Sequence, residues 1–330
     1  MAEPVISIEP ISDELILAYR ASGMKRGNSG GRALEWAFGR DSASFAVARH
    51  DGRIVGISGY IQNRVQLGHL TGNAVQAVDS FVLDSMRGKG VFTRLARAYD
   101  EHAVRSGTDL IWGFPNDNAA PAWFGKLGWH NHRQVPFLIK VLRTGFFCRK
   151  LGLPLDFPLT MDRDQRLCPV NEIGDWADLL WEQTSPSIGV GVVRDRDFLH
   201  HRLFAGPQAD QYRVVAAADD GAPSIVATRQ TDKHGGKIAY LMEALGGASM
   251  KALLKSELGR MAAQGVEIVL AWSFPWSPNY HVLRNTGFLP MPERFRPIRI
   301  WFGSAPKTAA ASPANQSGQW YLSYLDSDTV

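Results

Sequence analysis

The chain has 330 residues, 45% of them hydrophobic and 21% charged, with 36 basic against 32 acidic side chains and a net charge of +4. This is the composition of an ordinary globular protein, and its length favours two domains. So small a basic excess gives no ground for a nucleic-acid partner, and no apolar stretch is long enough for an integral membrane segment.

Residues 5–8 read as a short strand and 13–22 as a helix, followed by a Gly-rich basic loop over 24–32. Residues 44–49 and 54–61, joined by Asp51-Gly52, have the pattern of a hairpin. Residues 75–83 form a strand that runs into Met86-Arg87-Gly88-Lys89-Gly90-Val91-Phe92. From Val91 the apolar positions Val91, Phe92, Leu95, Ala98, Tyr99 and Ala103 follow a helical period. Two glycines flanking a lysine, where a strand turns into a helix, aim backbone N–H groups at one point and suit a phosphate. Neither the Gly-x-Gly-x-x-Gly fingerprint nor the Gly-rich motif ending in Gly-Lys-Ser/Thr is present. Next come a strand over 110–114 broken by Pro115, a helix from about Asn118 closed by Gly128-Trp129, and a strand over 135–142.

The order then repeats: a hairpin over 212–218 and 224–229, a strand over 238–245, and a helix facing inward through Met250, Leu253, Leu254, Leu258, Met261 and Ala262. A strand over 266–274 is broken by Pro275, and Gly287-Phe288 closes a short helix. The Phe-Pro pair recurs from 114–115 to 274–275, an offset of 160, and the Gly-aromatic pair from 128–129 to 287–288, an offset of 159. Two punctuators at nearly constant spacing in one order of elements indicate a duplicated domain. The loop differs, since Gly246-Gly247-Ala248-Ser249 replaces Arg87-Gly88-Lys89-Gly90. The expected division is 1–150, a linker over 151–165, and 166–330, in which 304–318 is a flexible Ala/Ser/Pro segment delivering a C-terminal strand over 320–325.

Other signals carry less. Cys148 and Cys168 read as incidental thiols. His200 with His201, and His130 with His132, lack partners spaced for a metal, so none is expected. Trp123, Trp129, Trp272 and Trp276 read as an interface between the halves. The basic-aromatic run over 142–153 reads as a solvated linker with buried phenylalanines, the alternative being contact with a membrane surface or a lipid-linked substrate. Asp326-Ser327-Asp328-Thr329-Val330 reads as a frayed tail. The start of the chain lacks the pattern of a signal peptide, and a cytoplasmic protein is expected.

Arg87-Gly88-Lys89-Gly90-Val91-Phe92, Phe114-Pro115-Asn116 and Phe124-Gly125-Lys126-Leu127-Gly128-Trp129, in this order and spacing, resemble the GNAT superfamily of acyl-CoA-dependent N-acyltransferases. Arg87 and Gly90 meet the family's Gln/Arg-x-x-Gly-x-Gly/Ala pattern, while Phe92 stands where a small residue is usual. The match is clear over 44–142 and faint beyond, so the whole chain is similar to tandem members.

The resemblance implies an α/β (α+β) fold of two GNAT-like domains, each a mixed, mostly antiparallel sheet flanked by helices. It implies acyl-CoA as co-substrate, its pyrophosphate on Arg87, Gly88, Lys89, Gly90, Val91, Phe92 and Thr93. The pantetheine arm would lie along Phe81, Val82 and Leu83, near Asn116, with Asp79 as general base. The family's usual tyrosine acid is Phe124 here, and Tyr99 has spacing better suited to the core. Acetyl transfer to a small-molecule primary amine, such as an amino sugar or metabolite, is the expected activity. The alternatives are a Fem-type aminoacyl transferase and a non-catalytic acyl-CoA-binding protein. Acceptor loops are expected at 24–32 and 63–71.

Overall fold

The structure, a computed structural model, describes residues 3–24, 30–160, 169–219, 221–233 and 235–327. Cys168 and most of the expected 24–32 loop lie outside the described residues. Two compact units divide the chain: Met1–Gln134 with Arg299–Ser317, and Val135–Ile298 with Gly318–Val330. The first opens with β1 (Val5–Glu9), α1 (Asp13–Ala21), α2 (Gly31–Phe38), β2 (Phe45–His50), β3 (Arg53–Leu67) and β4 (Leu70–Val82). It continues with α3 (Val91–Arg105), β5 (Leu110–Gly113) and β6 (His130–Gln134). The second holds β7 (Phe137–Val141), α4 (Gly145–Lys150), α5 (Trp176–Thr184), β8 (Val190–Val192), α6 (Arg196–Leu203), β9 (Tyr212–Asp219) and β10 (Ala222–Lys233). After β11 (Gly236–Gly246), α7 (Met250–Ala263), β12 (Ile268–Trp272), α8 (Tyr280–Asn285) and β13 (Leu289–Pro290), the chain returns to the first unit as β14 (Trp301–Pro306).

The first sheet runs β1-β2-β3-β4-β5-β14-β6, with only the β4–β5 pair parallel along this path. Strand period sorts its faces. Ala46, Ala48, Tyr60 and Val75 pack under α3 with Leu95 and Tyr99, while Phe45, Val47 and Ile57 pack with Leu15 and Tyr19 of α1 and Leu34 and Phe38 of α2. Ser12 caps α1 by accepting from the Leu15 amide at 3.3 Å, and Asp13 and Glu14 favour its positive end. Between Gly30 and Gly39, both at positive φ, α2 takes in Gly31 and Arg32, expected in the 24–32 loop, and a following stretch that sequence reading left unassigned. The second sheet runs β13-β7-β12-β11-β10-β9, again with one parallel pair, β11–β12. Its α7 buries the expected face, Met250 through Ala262, on Val215, Val226 and Val269. The repeat is therefore real at the level of topology: hairpin, third antiparallel strand, crossover helix, parallel strand.

Several boundaries differ from expectation. The division falls at 134/135 and not at 150, because β7 pairs with β12 and β13 of the second sheet. Residues 304–318 are no flexible linker. β14 lies between β5 and β6, and a 3₁₀ segment, Ala309–Asn315, follows it. The expected strand over 320–325 is a single bridge from Val190 to Trp320 and a 3₁₀ turn, Tyr324–Asp326. The expected helix after Asn118 is one π-type turn, Ala122–Lys126. Residues 63–71 are mostly strand, since β3 runs to Leu67 and β4 begins at Leu70.

Asp326 is not frayed. It is buried with Arg194 and Glu243, and the Arg194 guanidinium donates to Asp326 Oδ2 at 2.5 Å and Glu243 Oε2 at 3.3 Å. Tyr321 donates to Glu243 Oε1, and Ser323 Oγ donates to Glu243 Oε2 at 2.9 Å. Residues 328–330 lie outside the described residues.

His132 of β6 pins the segment after β14. Its Nε2 lies 2.8 Å from Ser304 Oγ and its Nδ1 2.9 Å from Ser317 Oγ. Ser304 spends its own proton on the Ala314 carbonyl at 2.8 Å, so the imidazole donates from Nε2 and accepts at Nδ1. Burial, aided by His130, pushes the His132 pKa down to about 3. The folded state thus binds fewer protons than the unfolded state, whose imidazole titrates near about 6.5. The stabilisation is complete above that pH and is lost as pH falls towards 3. Urea titrations should show stability falling between about pH 6.5 and 4. His132→Gln should cost about 1–3 kcal/mol at neutral pH and flatten that slope. A variant with the parental pH slope would contradict this role.

Candidate active site

The first unit opens along one line. β4 and β5 pair in parallel from Ala74 with Leu110 to Ala77 with Gly113, then part. A Cβ at Gly113 would lie 2.8 Å from the Ala77 carbonyl oxygen, so only glycine allows the strands to meet at this apex. Phe114-Pro115 follows, and proline has no N–H with which to extend the ladder. On the other side, β4 stays paired with β3 through Val82, but Asp79 and Ser80 together oppose the single Ser58. This is a β-bulge, with Asp79 at a φ of 44° and Ser58 and Ser80 sharing a hydroxyl hydrogen bond of 2.7 Å. Among the described residues, the β4 edge over 78–82 that faces away from β3 has no strand partner. A cavity of about 100 Å³ fills the gap, lined by Val78, Asp79, Ser80, Phe114, Asn116, Trp123 and Trp129.

Beyond β4, a 3₁₀ turn, Asp84–Met86, leads to Arg87, Gly88, Lys89 and Gly90. Gly88 and Gly90 have φ of 76° and 75°, and Gly90 is the N-cap of α3. Alternating left-handed residues turn successive amides to one side, a nest for an anion. Arg94 N bonds Gly90 O at 3.1 Å as the first helical bond, leaving the amides of Val91, Phe92 and Thr93 without helical acceptors, and no side chain caps them. With no acidic residue in its first turn and His102 and Arg105 in its last, α3 keeps its positive end unneutralised. Arg87 pairs with Asp84 at 2.9 Å on the open surface, where such a pair contributes little.

Each expected residue has a definite place. The Phe92 ring stands edge-on to Trp123 at 5.3 Å, and Trp123 packs on Trp129 at 4.2 Å. The side chain that breaks the small-residue pattern therefore joins the core while its amide stays in the nest. Phe81 and Val82 turn to opposite faces of the sheet, packing with the α1/α2 core and the α3 core. Leu83 differs: its N–H donates to Val55 O and its C=O accepts from Met86 N, both at 2.9 Å, so its backbone is already engaged. Asn116 lines the cavity, but its Oδ1 accepts from the amides of Asn118 and Ala119 at 3.1 and 3.0 Å, capping the next turn. Tyr99 stacks on Tyr60 at 3.4 Å in the core, and burial raises its pKa. Phe124 packs near Trp301 at 6.3 Å and does not line the cavity. Trp123 and Trp129, expected at an interface, belong to the first unit's own core and cavity wall. Among the described residues, no group of three or more His, Cys, Asp or Glu side chains is placed to hold a metal.

Sequence reading missed Ser80 and the two tryptophans of the wall. The signal was present: Asp79-Ser80 puts two polar residues side by side in an alternating strand, the mark of a bulge.

In the second unit the matching parallel pair ends at Leu241 with Ala271, and a residue is again bulged, at Met242. Here the gap is bridged from within. Asn279 Nδ2 donates to Ala244 O at 3.0 Å and its Oδ1 accepts from Ser273 Oγ at 2.8 Å.

Residues 11–129 match the model of the acetyltransferase (GNAT) family. Among solved structures, the chain is similar to a GCN5-related N-acetyltransferase from Kribbella flavida, at 16% identity and a TM-score of 0.63, covering 94% of this chain and 73% of that one. It is similar to another from Anabaena variabilis, at 11% identity and a TM-score of 0.65, covering 94% and 75%. A third is Saccharomyces cerevisiae N-myristoyltransferase with bound myristoyl-CoA, at 10% identity and a TM-score of 0.57, covering 92% and 83%. At these identities the likeness is one of fold, and it extends over both units. No curated protein matches the sequence.

Two glycines carry the opening, and each should be costly to replace. Gly113→Ala should destabilise by about 1–3 kcal/mol through the clash with Ala77. Gly90→Ala should lose about 1–2 kcal/mol to the left-handed backbone. Gly125→Ala, where a Cβ meets nothing within 4 Å, should stay within about 0.5 kcal/mol in the same thermal unfolding series.

Proposed function

We propose that this chain, whose residues 11–129 match the acetyltransferase (GNAT) family model, is an acyltransferase that moves a short acyl group, acetyl first, from acyl-CoA to a small-molecule primary amine. The observation that carries this reading is the pairing of two backbone features: a β4 edge with no second strand alongside it among the described residues, followed by a helix N-terminus without a side-chain cap. CoA is a ligand with two handles of matching kind. Its pyrophosphate takes the amides of Gly88, Lys89, Gly90, Val91, Phe92 and Thr93, with the Arg87 and Lys89 charges alongside. Its amide-rich pantetheine arm adds to the β4 edge as a strand would, through residues 78–82. The thioester then lies in the gap beside Asp79.

The amine nitrogen attacks the thioester carbon, the C–S bond breaks, and the thiolate leaves. A backbone N–H of β4 along the gap stabilises the oxyanion, and holding both reactants together supplies much of the acceleration. Asp79 takes the ammonium proton, directly or through water. Phe124 has no proton to give, so the thiolate leaves without a donor from that position. A cavity of about 100 Å³ walled by Trp123 and Trp129 suits a short acyl group and not a long chain. The second unit is then a degenerate copy that takes no CoA, since Asn279 already occupies the backbone acceptor the arm would need.

Isothermal titration with acetyl-CoA should show binding at micromolar to sub-millimolar concentration, and a flat titration at millimolar cofactor would sink this reading. Asn tolerates the left-handed backbone at 79. Asp79→Asn should therefore keep cofactor affinity within about twofold while lowering thiol release, with an amine acceptor found by screening, by about 10²-fold or more. Unchanged turnover would remove Asp79 from the reaction.

A further inference from the structure

The second unit carries an apolar ridge that its fold does not use. Leu151, Leu153, Leu155, Phe157 and Leu159 alternate with Gly152, Pro154, Asp156 and Pro158, and all five are exposed, Leu151 by 75% and Leu159 by 59%. Phe147, at the preceding helix α4, is exposed as well. This is neither a solvated polar linker nor a set of buried phenylalanines. The backbone is fixed: Thr144 N donates to Phe157 O at 3.0 Å, Phe157 N to Thr144 Oγ1 at 2.9 Å, and Leu159 N to Leu142 O at 2.7 Å. Folding holds the ridge in place with its large side chains in water, an unfavourable arrangement unless something covers them.

Charge and shape identify the cover. Both acidic groups packed beside α4 are neutralised locally. Arg143 Nε grips the two oxygens of Asp156 at 3.0 Å each, and Arg149 donates to Glu267 at 2.6 and 2.7 Å. Arg149 also lines a shallow depression of about 640 Å³ with Lys233, Lys237, Asp232 and Glu267. Among the described residues, Lys150 next to Arg149, and Lys233 and Lys237 in the depression, outnumber the remaining acid there, Asp232. Residues 151–157 are all exposed, so the segment stands out from the surface and offers no groove for a partner's side chain. Its apolar residues are Leu and Phe, without the Trp, Tyr or Arg anchors that dominate protein interfaces. A protruding aliphatic ridge with a cationic rim matches the interface of an anionic bilayer, where apolar side chains enter the acyl boundary and lysines meet headgroups.

We propose that this ridge docks the protein on an anionic lipid surface. Among the described residues no helix is long and apolar enough to cross a membrane, so the attachment is peripheral. Co-sedimentation of the full chain with phosphatidylcholine vesicles, with and without phosphatidylglycerol, tests it. The parent should bind the phosphatidylglycerol vesicles and fall away as salt rises. Leu153→Glu with Phe157→Glu should weaken binding by about tenfold or more, at an unchanged thermal midpoint because both positions are exposed. Lys233→Glu with Lys237→Glu should weaken it only on the anionic vesicles. Equal sedimentation of parent and Leu153→Glu/Phe157→Glu, or none of either, would overturn the proposal. A concentration-dependent dimer abolished by that pair, with no vesicle binding, would assign the ridge to a second copy instead.

Discussion

The divergence of β5 from β4 at Ala77 and Gly113 is the constraint around which the first unit is built. A sheet interior normally pairs every backbone group, and each unpaired one costs free energy comparable to a lost hydrogen bond. The unit confines the break in its ladder to one short stretch by supporting both strands from their outer sides. β3 holds β4 across the bulge to Val82, and β14 holds β5 from Leu110 to Gly113. Without β14, β5 would be a four-residue strand with a single neighbour that it leaves after four pairs. The gap is thus a wedge held from both sides, and α3 follows β4 after the glycine loop, with Phe92 of its first turn packed on Trp123 of the cavity wall.

What the sequence made legible was local chemistry. The periods of α3 and α7, the Asp51-Gly52 turn, the positive-φ glycines at 88 and 90, and the Phe-Pro breaks each follow from rules acting within a few residues. What stayed hidden was partner choice. Phe137-Leu138-Ile139-Lys140-Val141 reads as a strand whichever sheet it joins, and nothing in its side chains names β12. Trp301–Pro306 was harder, because Gly303, Ser304 and Ala305 have the composition of a linker. Their smallness has a packing cause: a Cβ at Gly303 would lie 2.5 Å from the Phe124 ring and 3.2 Å from the His130 carbonyl. Small residues in a crowded interior and small residues in a flexible tether look alike until neighbours are known.

The same ambiguity ran the other way at the active site. Phe92 looked like a departure from the family pattern and Phe124 like a missing acid. The structure gives both a packing role, against Trp123 and near Trp301, and leaves the backbone of the loop untouched. Because the proposed anion site is made of amides, it would tolerate side-chain change at 92 so long as the glycines keep their conformations. A site built from backbone is read from the residues that permit the backbone, Gly88, Gly90 and Gly113, more than from residues that would touch a ligand.

The two units show how one topology serves two ends. Both have a parallel pair that parts after four residue pairs, and both bulge the longer strand at that point. The first leaves its edge open; the second satisfies it with Asn279, so the polar groups that would make a ligand site become part of the core. The second unit then sets its chain end with charge: Arg194 is fully buried between Glu243 and Asp326, two carboxylates to one guanidinium, with Tyr321 and Ser323 supplying further protons. Desolvating three charges makes such a cluster a poor source of net stability. What it supplies is a matched set of partners: Asp326 and the capping Ser323 both meet Arg194, and Ser323 also donates to Glu243. In the second unit, hydrogen-bond satisfaction closes the sheet and ionic pairing fixes the tail. In the first, the β4 edge over 78–82 has no second strand alongside it among the described residues, and that place is the candidate active site.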